Sequence, residues 1–154
     1  MTAGEAPAVG AGAAAFRQLK ELVGEWRGQR TDGRGIGVAY RLSALDSVLV
    51  ETWDLGPGRE SLTLYHMDGG ELMASHFCPQ GNQPRLKMTH SAGRRFDFTF
   101  HDATGVEPGQ AVQHDFWIEI GRDGTITRSE TYVQGEETET EQITYGRVTS
   151  QLSQ

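Results

Sequence analysis

The chain has 154 residues, of which 36% are hydrophobic and 23% charged, which fits one globular domain and excludes a composition too polar to build a core. A formal net charge of −7 argues against nucleic acid as a partner, because phosphate binding needs clustered Lys and Arg. The single cysteine, Cys78, excludes an intramolecular disulfide framework and suits a reducing compartment.

Met1 to about Gly12 shows no hydrophobic period and reads as a disordered tail ahead of one domain over 13–154. One helix follows. Phe16, Leu19, Leu22 and Val23 recur at helical spacing, and Gly24 stands where a glycine ends a helix. From there the period is two. Ten strands are predicted between Gly, Asp, Pro and Asn signals: Glu25–Thr31, Ile36–Leu42, Ser47–Asp54, Glu60–Met67, Glu71–Phe77, Arg85–His90, Arg94–His101, Gln113–Ile120, Thr125–Val133 and Thr138–Val148. Phe96, Phe98, Phe100 alternate with Asp97, Thr99, His101, and His114, Phe116, Ile118, Ile120 repeat the pattern. A short helix and a long meander imply an all-β, up-and-down antiparallel barrel, since closure removes exposed edges.

Two hairpin registers follow from burial. A three-residue loop Ser91-Ala92-Gly93 sets Leu86 and Met88 beside Phe98 and Phe96. Asp68-Gly69-Gly70 likewise aligns Leu62, Leu64 and His66 with His76, Ala74 and Leu72.

No apolar run approaches the roughly 20 residues of a membrane span. Met1–Ala15 lacks a basic stretch and carries Glu5, unlike a secretory signal. The expectation is a cytoplasmic protein with no membrane partner, and a homodimer stays open.

Gly24-Glu25-Trp26 after a short helix, then Gly28, resembles the G-x-W opening of calycins, which include lipocalins, fatty-acid-binding proteins and nitrobindin-like barrels. The resemblance implies that Trp26 closes one barrel end and that a basic residue of the last strand, Arg147, packs over it. Tyr65-His66-Met67-Asp68-Gly69, then Ser75-His76-Phe77-Cys78-Pro79-Gln80-Gly81-Asn82-Gln83-Pro84-Arg85, then His114-Asp115, is similar to a group of bacterial lipocalin-like proteins. Their common form reads Y-H-x-D-G, T-H-Y-C-x2-G-N-Q-P-R and H-D. That similarity spans Gly24 to about Arg147 and implies a fold, not an activity. Nitrobindin-like barrels take a haem-ligating histidine from near the C-terminus, and here no histidine follows His114, so no haem is expected.

No cofactor and no metal are expected. In the register above, His66 and His76 share a face but lie roughly 13 Å apart at strand rise, too far for one ion. The Gly81–Arg85 segment reads as a structural turn or as a barrel rim, with Asn82 and Arg85 offering donors to a ligand. Glu51 sits in Val48-Leu49-Val50-Glu51-Thr52-Trp53, where both faces are apolar; exposure opposite the core is expected, and burial would pair it and raise its pKa. Tyr40, Tyr65, Trp53, Trp117 and Phe116 read as core first and cavity lining second. Cys78 reads as a small buried residue, and Glu136–Glu141 as a solvated face.

These residues point to a barrel that binds a small hydrophobic or amphipathic ligand. Its contacts would come from His66, His76, Asn82, Arg85, His114, Phe98, Phe116 and Tyr65. The alternative is a cofactor-free acid–base enzyme of isomerase or cyclase type, with Glu51 or His76 as catalytic base.

Overall fold

The computed structural model describes residues 7–149, so the part of the expected tail over 1–6 lies outside the described residues. Ten antiparallel strands close a barrel in the order β1-β10-β9-β8-β7-β6-β5-β4-β3-β2. They are β1 (Gly24–Gln29), β2 (Gly35–Ser43), β3 (Val48–Asp54), β4 (Glu60–Asp68), β5 (Glu71–Phe77), β6 (Gln83–Ala92), β7 (Arg95–Thr104), β8 (Val112–Ile120), β9 (Ile126–Gln134) and β10 (Glu137–Arg147). Every strand is one of those expected from the period-two pattern, with β5 matching at both ends and no end shifted by more than three residues. None of the described strands is left with a free edge, because β1 pairs with both β2 and β10.

The helix α1 (Ala11–Leu19) continues as a 3₁₀ turn over Lys20–Leu22. It begins earlier than the pattern suggests, and Ala11 and Gly12 belong to it rather than to a tail. Gly12 lies so close to the β4–β5 turn that an added Cβ would stand 2.6 Å from the Gly70 carbonyl oxygen. Phe16, Leu19 and Leu22 are buried in the main core with Leu72, Leu86, Met88 and Phe96, whereas Val23 is exposed. The helix therefore plugs one end of the barrel.

Trp26 and Arg147 stand opposite each other in the β1–β10 ladder at that same end. The guanidinium lies 4.4 Å from the centre of the Trp26 rings, donates from Nη1 to Val23 O at 2.8 Å and from Nη2 to Glu21 O at 3.1 Å. The indole Nε1 donates to Leu22 O at 2.8 Å. Together these contacts satisfy the carbonyls that the end of a helix leaves unpaired. Gly24 makes the arrangement possible: its φ is +132°, and a Cβ there would meet Arg147 Nη1 at 2.7 Å.

Both hairpin registers differ from expectation. Asp68 pairs with Glu71 across a two-residue turn in which Gly69 takes φ +59°, so Thr63 and Tyr65 face His76 and Ala74. This one-residue slip turns Thr63 and Tyr65 inward and puts Leu62, Leu64 and His66 on the outer face. Val50 and Met73, from the neighbouring strands, are also buried on that outer face, which is why Leu62 and Leu64 look core-like in sequence.

The second hairpin closes through Gly93-Arg94, with Ala92 opposite Arg95. A bulge at Thr89 then restores the inward face, giving Met88 opposite Phe98 and Leu86 opposite Phe100. Phe96 and Phe98 are buried, but Phe100 is not, because β7 parts from β8 beyond Thr99. In β8, a bulge between Gln113 and Asp115 throws His114 outward and sets Gln113 inside in its place.

A polar floor and an open mouth: the candidate functional site

Side chains fill the plugged half of the barrel. Phe98 and Phe116 stack at 4.6 Å between ring centres, and Tyr65 meets both edge-on, at 5.8 and 6.3 Å. Above them the lining turns polar, for a reason visible in three strands. In β3 the inward positions are Leu49, Glu51 and Trp53; in β2, Ile36, Val38 and Tyr40; in β9, Ile126 and Arg128, followed by Glu130 and Tyr132.

Glu51 is wholly buried, which corrects the expectation that it faces solvent. Four donors hold it. Oε2 accepts from Arg128 Nη1 at 2.6 Å, Tyr65 Oη at 2.6 Å and Tyr40 Oη at 2.8 Å, and Oε1 accepts from Trp53 Nε1 at 2.7 Å. A buried carboxylate is tolerable here because a cation and three neutral donors replace its water.

Arg128 is equally buried. Its Nε donates to Glu130 Oε1 at 2.6 Å, and its guanidinium lies over the rings of Phe116 (4.2 Å) and Trp53 (5.0 Å). Burial opposes its charge, but Glu51, Tyr65 and Glu130 outweigh that and hold its pKa well above the usual arginine value. Burial, with the Glu51 charge beside them, pushes the Tyr40 and Tyr65 hydroxyls well above the ordinary tyrosine value. Both stay neutral donors.

Over this floor lies a cavity of about 240 Å³. Its walls include Trp53, Ser61, His76, Glu130, Tyr132 and Tyr145, with Ile36, Leu55 and Ile143 as apolar surface. It opens at the end opposite the helix, past Arg30, Pro79, Glu139 and Glu141. Arg128 and His76 both line it, and each keeps one buried nitrogen with no hydrogen-bond partner among the described residues, Arg128 Nη2 and His76 Nε2. The other His76 nitrogen, Nδ1, lies 3.0 Å from Thr63 Oγ1. Burial lowers the His76 pKa, against the pull of Glu130 and Glu51, so the ring is neutral at pH 7.

Of the residues expected at the site, His76 lines the cavity, while Tyr65, Phe98 and Phe116 lie in the floor and the packing beneath it. Arg85 does not reach the interior. It points outward from β6 and donates from Nε to Asp102 Oδ1 at 2.6 Å. His114 is exposed on its bulge beside Asp115, 2.8 Å away, and His66 stands on the outer face with Nδ1 3.2 Å from Met67 O. Asn82 is buried but turned into the loops: Nδ2 donates to Gln110 Oε1 at 3.1 Å and Ala111 O at 3.2 Å. It ties the β5–β6 loop to the β7–β8 loop and so firms the rim.

The sequence reading does not find Arg128, Glu130 or Tyr145, whereas Trp53, expected as core first and cavity lining second, is both. The signal for Arg128 was present, since it shares a strand face with Ile126, and a cation on a core face is informative. Among the described residues no group of three or more His, Cys, Asp or Glu side chains is placed to hold a metal. No described helix is long and apolar enough to cross a membrane.

The class that fold and site define is a closed, ten-stranded, up-and-down β-barrel, consistent with a calycin-like fold, with one end plugged and a polar-floored cavity at the other. No protein-family profile matches the chain, and no curated protein matches it either.

Proposed function

We propose that this barrel binds a small amphipathic molecule, admitted at the open end and held against the Arg128–Glu51 floor. The observation that carries this reading is the pair of unpartnered buried nitrogens, Arg128 Nη2 and His76 Nε2, on two residues that line the same cavity. A buried donor left without a partner costs about 1–3 kcal/mol, so the site is built for a ligand or water that completes it. The apolar part of the ligand would lie against Trp53, Tyr145, Ile36 and Ile143. At about 240 Å³ the cavity is below the roughly 300–1,000 Å³ of drug-sized sites, which favours a compact molecule over a long acyl chain. That scale also separates the reading from a fatty-acid carrier of lipocalin type.

An acid–base reaction in the same cavity would fall to His76, because both Glu51 carboxylate oxygens are already engaged by the donors of the floor. Among the described residues no side chain hydrogen-bonds His76 Nε2, so binding is the better-supported reading.

Titration with 2-naphthol, followed by tryptophan fluorescence, tests the proposal. Wild-type protein is expected to give a saturable change that Ser61→Phe, which fills the cavity from a buried wall position, abolishes while the protein stays folded. No saturable change in the wild type, or one that survives Ser61→Phe, overturns it.

A further inference from the structure

The cavity's charge balance bears on what kind of polar group the ligand carries. An arginine at the bottom of a barrel suggests a carboxylate partner at first sight. Here that charge is spent twice: Glu51 takes Nη1 and Glu130 takes Nε, both at 2.6 Å. The two guanidinium groups near the cavity, Arg128 and Arg30, face four carboxylates: Glu51, Glu130, Glu139 and Glu141. Arg30 is itself paired with Glu141 at 3.1 Å. His76 adds no positive charge, because burial keeps the ring neutral at pH 7.

An incoming carboxylate would therefore meet Glu139 at the exposed mouth and, inside low-dielectric walls where like charges repel most strongly, Glu51 and Glu130 against the single charge of Arg128. An incoming cation has the opposite defect, since it brings no acceptor for Arg128 Nη2. A neutral group with a hydroxyl or carbonyl oxygen meets neither objection. It accepts from Nη2, and a hydroxyl or amide N–H can also face His76 Nε2 when the ring proton sits on Nδ1 toward Thr63. We infer that the Arg128–His76 site selects an uncharged, oxygen-bearing head group and rejects carboxylates. This rests on the binding reading above.

Benzamide, benzoate and benzamidinium have nearly the same shape and differ in charge, so they separate the terms. Their affinities for the full-length protein at pH 7.5 can be read by NMR titration of the Trp53 indole N–H. Benzamide is expected to bind at least about tenfold more tightly than either ion. In Glu130→Gln, which leaves a neutral acceptor for Arg128 Nε, the affinity of benzoate relative to benzamide should rise about tenfold. Benzoate or benzamidinium binding as tightly as benzamide overturns the charge selectivity and leaves cavity binding standing. Benzoate gaining nothing relative to benzamide in Glu130→Gln overturns the electrostatic cause. If none of the three binds while 2-naphthol does, the head-group assignment fails; if 2-naphthol also fails, the binding reading falls with it.

Discussion

Glu51 and Arg128 are 77 residues apart in the chain and 2.6 Å apart in the barrel, where both are buried to within 2% of completely. Their ion pair divides the interior into a packed half and an open half. Removing one partner should cost far more than exchanging both. Glu51→Ala strands a buried guanidinium and is expected to lower stability by about 3–5 kcal/mol in urea unfolding. The double variant Glu51→Met with Arg128→Met should cost clearly less than the sum of the single changes, by something on the order of 2–3 kcal/mol. Additive losses would mean the pair is not coupled as the geometry requires.

His76 predicts a pH dependence of stability. Its folded pKa lies below the unfolded value of 6.5, chiefly through burial. Between those two values the unfolded chain holds the extra proton, so stability is complete above about 6.5 and falls as the pH drops through and below it. Thermal melts from about pH 7.5 to about pH 5 should show that decline, and His76→Gln should flatten it. An equal slope in the variant would assign the effect to other groups.

At the plugged end, Arg147→Ala should lower stability by about 1–2 kcal/mol through lost stacking on Trp26 and the two freed carbonyls. Gly24→Ala should also destabilise, because its Cβ collides with the Arg147 guanidinium. Part of that penalty should disappear when both changes are combined. Denaturant midpoints of the three variants decide this.

Arg85→Ala and Phe98→Ala should behave differently. Arg85 lies outside the barrel with Asp102, so its loss is expected to leave both 2-naphthol affinity and the melting midpoint essentially unchanged. Phe98→Ala removes a fully buried ring that stacks on Phe116, at an expected cost of about 3–5 kcal/mol. A drop in affinity on Arg85→Ala would mean that the rim of the barrel contributes to binding.

The β2–β3 turn runs through Ala44, Leu45 and Asp46, all three at positive φ, between 51° and 65°. Non-glycine residues pay roughly 1–2 kcal/mol for that region, and glycine gives back about 0.5–1 kcal/mol in flexibility. Leu45, fully exposed, contributes no packing in return. Leu45→Gly is thus expected to stabilise by about 0.5–1 kcal/mol, readable as a raised midpoint.

The strand count and closure were legible in the sequence because alternation and turn residues are local properties. The Trp26–Arg147 lock was legible too, through the resemblance that links a G-x-W opening to a terminal arginine. The faces of β4, β6 and β8 were harder. A turn shorter by one residue reverses a strand, and a bulge reverses it back, and neither is marked by composition: Leu62 and Leu64 read as core but lie outside, and His114 lies outside while Gln113 takes its place within. The site was hardest of all. Glu51 in an apolar strand has no partner within its own segment, and whether such a carboxylate is solvated or buried depends on which cation closure of the sheet brings across the interior. Local sequence determined that there is a barrel with one locked end. Only the tertiary structure decided that β9 carries Arg128 over Glu51, because an ion pair between distant strands is a property of the closed cylinder and of no stretch of chain within it.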